Sequence, residues 1–291
     1  MEPDYQTVNL DGVDVAFIDH GGQGPAPPMV LVHGIAGSTA HWAAVGPALA
    51  RGRRVLALDL AGYGLTDPGG RPATLWSNQR LVDRFIERVV GRPAVVVGSS
   101  MGGLVALLQA ARGPARVERL VLVDPAGPQT LGRYVRTGQV LAVAPLLAPW
   151  LGERLLLRQI RARSPEHRVR RILKAISVDH HLVDESVVRA WVEVARRQQG
   201  ATFPATGLVQ TLRSVLRLFW MPTYRAVVDA IQAPTLVLHG EGDPIVPLSA
   251  SRWLVDRRPD WTLEVLPDVG HAPQMERPGL FVEAVDRWLG A

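Results

Sequence analysis

At 291 residues and 47% hydrophobic, the chain is long enough for one large α/β domain, alone or with an inserted cap, and has the size of a globular enzyme. The absence of cysteine excludes disulfides and thiolate metal sites, and the lack of any run of about 18 uncharged apolar residues argues against a membrane span. The formal charge is +5, but the basic excess sits in one interval, 130–225, without interleaved aromatic and basic side chains, so no nucleic-acid partner is expected.

The opening Met-Glu-Pro-Asp has no basic stretch followed by an apolar one, so no signal peptide is expected and the default location is cytoplasmic. Residues 5–18 alternate in polarity and turn at Asp11-Gly12, which predicts a β-hairpin. Short apolar runs follow at 29–32, 54–58, 94–97, 120–123, 235–238 and 262–265, most of them ending at Gly, Asp or His. Helical patterns lie around 40–50, 78–90, 101–112, 248–257 and 279–289. This alternation predicts an α/β fold, a mostly parallel, doubly wound sheet with helices on both faces and an antiparallel start.

The alternation breaks once, between Pro125 and about Tyr224, where the pattern is helical throughout. The interval 130–225 holds 16 of the 32 basic residues but only 6 of the 27 acidic ones, a net of +10 against −5 for the rest. It reads as a helical cap, residues 128–224, inserted into a core formed by 1–127 and 225–291.

The stretch that points to chemistry is AVVVGSSMGGLVALLQAARG at 94–113. A buried β-branched strand runs into a small-residue helix with almost no loop, and glycine is tolerated where side chains collide. Gly98-Ser99-Ser100-Met101-Gly102 therefore fits G-x-S-x-G, and the glycine spacing puts Ser100, not Ser99, at its centre. Ser100 is the expected nucleophile and the Met101 N–H an expected oxyanion donor.

A serine hydroxyl needs a base, and the base needs an orienting carboxylate. HGEGDPIVP, after the strand at 235–238, puts Asp243 in a loop at the sheet's C-terminal edge, and PDVGHAPQMERP, after the next strand, puts His271 in the following loop. Upstream, the strand at 29–32 runs into His33-Gly34-Ile35, where the Ile35 N–H is the second expected oxyanion donor and His33 shapes the loop without transferring protons. Asp124, closing LVLVD, is a rival for the orienting carboxylate. His180-His181 has the look of a metal pair, but no third ligand at suitable spacing accompanies it, so a solvated helix face is expected and no metal site.

In this order and context the motifs resemble the α/β-hydrolase fold family, in its capped, epoxide-hydrolase-like branch, over nearly the whole chain from His33-Gly34 through DLAGYGLTD at 59–67 to the His271 segment. The resemblance implies a brace role for Asp59, where the family usually has a structural aspartate. Dehalogenases and epoxide hydrolases of this type carry Asp at the elbow centre, where this chain has Ser100. The expected activity is therefore hydrolysis of small-molecule carboxylic esters, including lipid-like or lactone substrates, through an acyl-enzyme and without cofactor. Carbon–carbon hydrolases of ring-fission products are the alternative. That group typically shows Asn before the nucleophile and Trp after the histidine, positions held here by Ser99 and Ala272. A ligand-binding protein on the same fold is the third reading. Finally, the apolar segment 140–151, with Pro145, Pro149 and Trp150, precedes a basic stretch of Arg154, Arg158, Arg161, Arg163, Arg168, Arg170 and Arg171. Either it lines the pocket or packs the cap while the arginines are solvated, or the two together rest on an anionic membrane surface.

Overall fold

The computed structural model of the chain describes residues 4–136, 144–145, 148, 151–220 and 222–290. Strands β1 (Tyr5–Leu10) and β2 (Val13–Asp19) form the antiparallel start. They turn at Asp11 and Gly12 with φ of 51° and 85°, the positive values that a two-residue hairpin turn requires. The sheet continues with β3 (Met29–Val32), β4 (Val55–Leu58), β5 (Ala94–Ser99), β6 (Val117–Val123), β7 (Thr235–Gly240) and β8 (Thr262–Leu266). Their order in space is β1-β2-β4-β3-β5-β6-β7-β8, with β2 antiparallel to β4 and every later pairing parallel.

Every residue of β3, β4 and β5 is buried, as strands covered on both faces must be. The side-chain period of two sorts them: Val30, Leu56 and Val96 join Phe85 and Leu104 on one face, while Met29, Val55 and Val95 join Trp42 and Phe281 on the other. The expected helix around 40–50 is broken into a 3₁₀ turn at Thr39–Trp42 and a single turn, α1 (Gly46–Leu49), because Pro47 starts a helix more readily than it continues one. The helix expected at 78–90 starts earlier, as α2 (Leu75–Phe85), where Thr74 and Ser77 form a reciprocal capping box. Helix α3 (Met101–Arg112) follows β5 directly.

Between β6 and β7 the described residues contain only helices: α4 (Pro128–Arg136), α5 (Leu151–Arg161), α6 (Pro165–Ile176), α7 (Glu185–Arg197), α8 (Phe203–Trp220) and α9 (Thr223–Asp229). Helices α6 and α7 carry their own buried cluster, including Val169, Leu173, Val187 and Trp191, and this rests on Ala40, Ala272 and Met275 of the core loops. The sequence boundary at 224/225 falls inside α9, whose Tyr224 and Val228 pack into the main core. Most of the apolar segment 140–151 lies outside the described residues; Leu151, at its end, is 50% exposed. Helices α10 (Leu248–Arg257), α11 (Pro273–Glu276) and α12 (Pro278–Leu289) complete the described chain. Among the described residues no helix is long and apolar enough to cross a membrane.

Candidate active site

The turn from β5 into α3 holds Ser100 at φ 55° and ψ −116°, a positive-φ conformation that costs a non-glycine residue roughly 1–3 kcal/mol. Two glycines permit it. A Cβ on Gly98 would lie 2.4 Å from the Gly102 carbonyl oxygen, and one on Gly102 would lie 2.4 Å from the carbonyl oxygens of both Val32 and His33. The Ser100 N–H donates to the Val123 carbonyl at 2.8 Å, tying the turn to β6. The hydroxyl thus stands at the C-terminal edge of the sheet, over the positive end of the α3 dipole.

His271 Nε2 lies 2.8 Å from Ser100 Oγ, and His271 Nδ1 lies 2.6 Å from Asp243 Oδ2. Burial alone would raise the Asp243 pKa. The His271 ring and the N–H groups of Ile245 and Val246, at 2.6 and 3.0 Å from Oδ1, outweigh it and hold the carboxyl below its ordinary value. A carboxylate only accepts, so Nδ1 carries the ring proton and the Nε2 lone pair faces the Ser100 O–H. All three groups are nearly closed off, with Ser100 and His271 8% and Asp243 6% exposed.

The other sequence-selected residues fall around this line. A Cβ on Gly34 would lie 3.2 Å from Ser100 Cβ and 3.8 Å from its Oγ, so the loop after β3 lies directly against Ser100. Among the described residues the N–H groups of Ile35, in that loop, and Met101, at the start of α3, have no backbone acceptor. His33 does not reach Ser100: its Nδ1–H donates to the Gly34 carbonyl at 2.7 Å and its Nε2 accepts the Leu60 N–H at 3.1 Å, joining two loops. Burial lowers its pKa to about 4, so it stays neutral. Asp59 accepts the N–H groups of Thr39 and Leu65, each at 2.7 Å. Its pKa is nevertheless pushed up to about 7 by complete burial.

Asp124 makes no hydrogen bond to His271. Its Oδ1 accepts the Gly240 N–H at 2.8 Å, and burial, then the neighbouring Asp243 charge, push its pKa well above its ordinary value. It ties the end of β6 to the end of β7. Beside it lies His239, which the sequence reading did not single out. Its Nδ1 accepts from Ser251 Oγ at 2.7 Å and its Nε2–H donates to the Val246 carbonyl at 3.2 Å. Asp124, His239 and Asp243 offer ligand atoms within 4.8 Å of one another, but both ring nitrogens are already committed, which makes the group a floor beneath Asp243.

Two further residues emerge only in three dimensions. The His271 N–H donates to the Ile176 carbonyl at 2.7 Å, so the inserted helices grip the histidine loop. Glu276 accepts the Gly270 N–H at 2.8 Å with one oxygen and the Val178 N–H at 3.0 Å with the other, bridging the same two segments. At His180-His181 the sequence offered no third ligand, but the fold sets the Asp179 carboxylate within 4.8 Å of both rings. One Asp179 oxygen is already used, accepting the His181 N–H at 3.0 Å.

A cavity of about 360 Å³ opens beyond Ala36 and Gly37, between the core loops and helices α5 to α8. Its walls include Leu156, Ile160, Ile172 and Trp191, with Arg163, Arg168 and Arg171 among them. Neither this cavity nor a larger, open depression around Trp76 and Arg217 is lined by Ser100, His271 or Asp243 themselves; the first reaches toward them through Ala36 and Gly37.

A family model of the alpha/beta hydrolase fold matches residues 27–278. The chain belongs to the α/β-hydrolase fold family. It is 31% identical over 259 residues to a pimeloyl-[acyl-carrier protein] methyl ester esterase of Aromatoleum aromaticum, covering 87% of this chain and 94% of that one. It is 30% identical over 283 residues to a 2-hydroxymuconate semialdehyde hydrolase of a Pseudomonas species, covering 90% and 86%. In three dimensions it is similar to a crystal structure of a serine hydrolase involved in carbazole degradation, with a TM-score of 0.75, 24% identity and 99% of each chain covered. That likeness is one of fold. Among the described residues of this α/β hydrolase the connection between β6 and β7 is helical, and its Ile176 carbonyl meets the His271 N–H.

Proposed function

We propose that this α/β hydrolase cleaves carboxylic esters with Ser100 as nucleophile, His271 as general base and acid, and Asp243 as its orienting carboxylate. The observation that carries the reading is the continuous hydrogen-bonded line from Ser100 Oγ through the His271 ring to Asp243, at 2.8 and 2.6 Å. His271 Nε2 takes the Ser100 proton as Oγ attacks the ester carbonyl. The developing oxyanion is met by the N–H groups of Ile35 and Met101, and a preorganised donor of this kind contributes about 3–4 kcal/mol. His271 then protonates the leaving alcohol and activates water to release the acid. In this reading residues 128–224 are the cap over a core of 1–127 and 225–291, and the pocket forms where the two meet.

A carbon–carbon hydrolase is the second reading, favoured by the similarity to the 2-hydroxymuconate semialdehyde hydrolase. Ser99 and Ala272 stand against it on the residues. A panel of p-nitrophenyl esters of rising chain length, a lactone and a ring-fission dienone separates the two. Turnover of esters well above the dienone is the expected outcome, and dienone cleavage without ester turnover overturns the ester assignment.

A further inference from the structure

Arg168 is the anomaly of the inserted helices. It sits on α6 at the wall of the 360 Å³ cavity, half-buried, with its Nη2 donating to the Ala195 carbonyl at 3.2 Å and its Nε buried without a partner among the described residues. Burial alone pulls its pKa below the ordinary value, the sign of a guanidinium that lacks a counter-charge. Buried charges are ordinarily paired, because desolvation is not otherwise offset. Three acids on the helices beside it are committed to other arginines: Glu166 to Arg196, Glu185 to Arg170 at 2.6 Å, and Glu193 to Arg197 at 3.1 Å. Arg163 and Arg171 reach the same cavity, and among the described residues no Asp or Glu lines it.

We infer that this cavity holds the anionic end of the substrate, with Arg168 as its principal partner and Arg163 and Arg171 at the rim. The inference rests on the hydrolase reading for the position of the scissile ester. Ala36 and Gly37 on the cavity wall directly follow Ile35, so a chain that fills the cavity runs back toward the expected oxyanion donors. The volume is ordinary for a small-molecule site, roughly 300–1,000 Å³. Apolar walls with guanidiniums and no carboxylate suit one class of molecule: an ester on an aliphatic chain that carries a carboxylate or phosphonate at its other end. Arg supplies a planar fork for either head group.

The test uses the Ser100→Ala protein, which binds without turnover, and titrates it calorimetrically with three ligands of equal length. These are the monomethyl ester of an eight-carbon dicarboxylic acid, its dimethyl ester, and the methyl ester of an ω-phosphono acid. Either anionic ligand, the half-ester or the phosphono ester, is expected to bind more tightly than the diester, and the stronger of the two identifies the head group. In the Ser100→Ala background, Arg168→Gln is expected to erase about 10- to 100-fold of the stronger ligand's affinity while leaving the diester's unchanged. Because Arg168 also contacts α7 through Ala195, Arg171→Gln is measured in parallel and is expected to cost about two- to fivefold. Equal binding of charged and neutral ligands, or a preference that survives both substitutions, overturns the inference. If wild-type protein hydrolyses none of the esters while the anionic preference persists in Ser100→Ala and falls with Arg168→Gln, the hydrolase reading is lost and the anion site stands.

Discussion

Two carboxyl groups lie within reach of one another behind His271, and their surroundings push their pKa values in opposite directions, Asp124 up through burial and Asp243, against its own burial, down through the His271 ring and two N–H groups. Asp243 is stabilised as the anion by the His271 ring and two backbone N–H groups, while Asp124 is buried, faces Asp243 and receives one N–H. An amide in place of Asp243, its oxygen held by the Ile245 and Val246 N–H groups, turns an NH2 donor toward His271 Nδ1 and no longer fixes the imidazole tautomer. Asp243→Asn should therefore lower kcat for an ester by several orders of magnitude. Asp124→Asn keeps an oxygen for the Gly240 N–H and leaves the His271–Asp243 contact in place, so it should lower kcat less than tenfold, and steady-state kinetics on the two variants checks both. His41 carries a second expectation. Burial, then the neighbouring His33 and His271, lower its pKa to about 3, so the folded state excludes a proton that the unfolded chain binds below about 6.5. The stability it contributes as a neutral ring is complete above that value and is lost as pH falls toward 3. Relative to His41→Phe, which cannot titrate and keeps a ring against Trp191, wild-type unfolding free energy should drop by ~2 kcal/mol between pH 7 and pH 5, read by urea denaturation at each pH.

At the scale of elements, the close approach of β3, β5 and α3 is what presents Ser100. A methyl group on Gly102 meets two carbonyl oxygens that belong to backbone and cannot turn aside. Gly102→Ala should cost ~1–3 kcal/mol and lower the melting temperature by several degrees. Gly279, with open space around its Cβ position, should accept Ala with no loss, and thermal scans of the pair make the comparison. The same elements explain what the sequence made legible. Strands such as β3 and β5 are covered on both faces and are short apolar runs, so composition alone marks them. Ser100, Asp243 and His271 each follow such a strand, which is why their loops could be read in order. Their hydrogen-bonded geometry comes only from the fold. His239 and Glu276 left no comparable mark. Each acts through contacts made across the fold, to Ser251 and Val246 or to Val178 and Gly270, and no local spacing encodes those. The helix expected around 40–50 failed for a local reason, Pro47 beginning a new turn.

Across the whole molecule the charge is divided as the architecture is. The interval 130–225 is net basic and the rest net acidic, and the cavity between them draws its arginines from the basic part and its glycines and Tyr63 from the core loops. The insertion also holds the histidine loop, through the Ile176 carbonyl on the His271 N–H and through Glu276. One contact surface therefore both lines the cavity and holds the backbone of the His271 loop. The central claim, that Ser100 is the activated nucleophile, is tested most directly by treating the native protein with a serine-directed fluorophosphonate and mapping the adduct by peptide mass spectrometry. Stoichiometric modification at Ser100, unchanged in Ser99→Ala and abolished in Ser100→Ala and His271→Gln, is the predicted result. An adduct on Ser99, or a native protein that takes up no label at all, would contradict it.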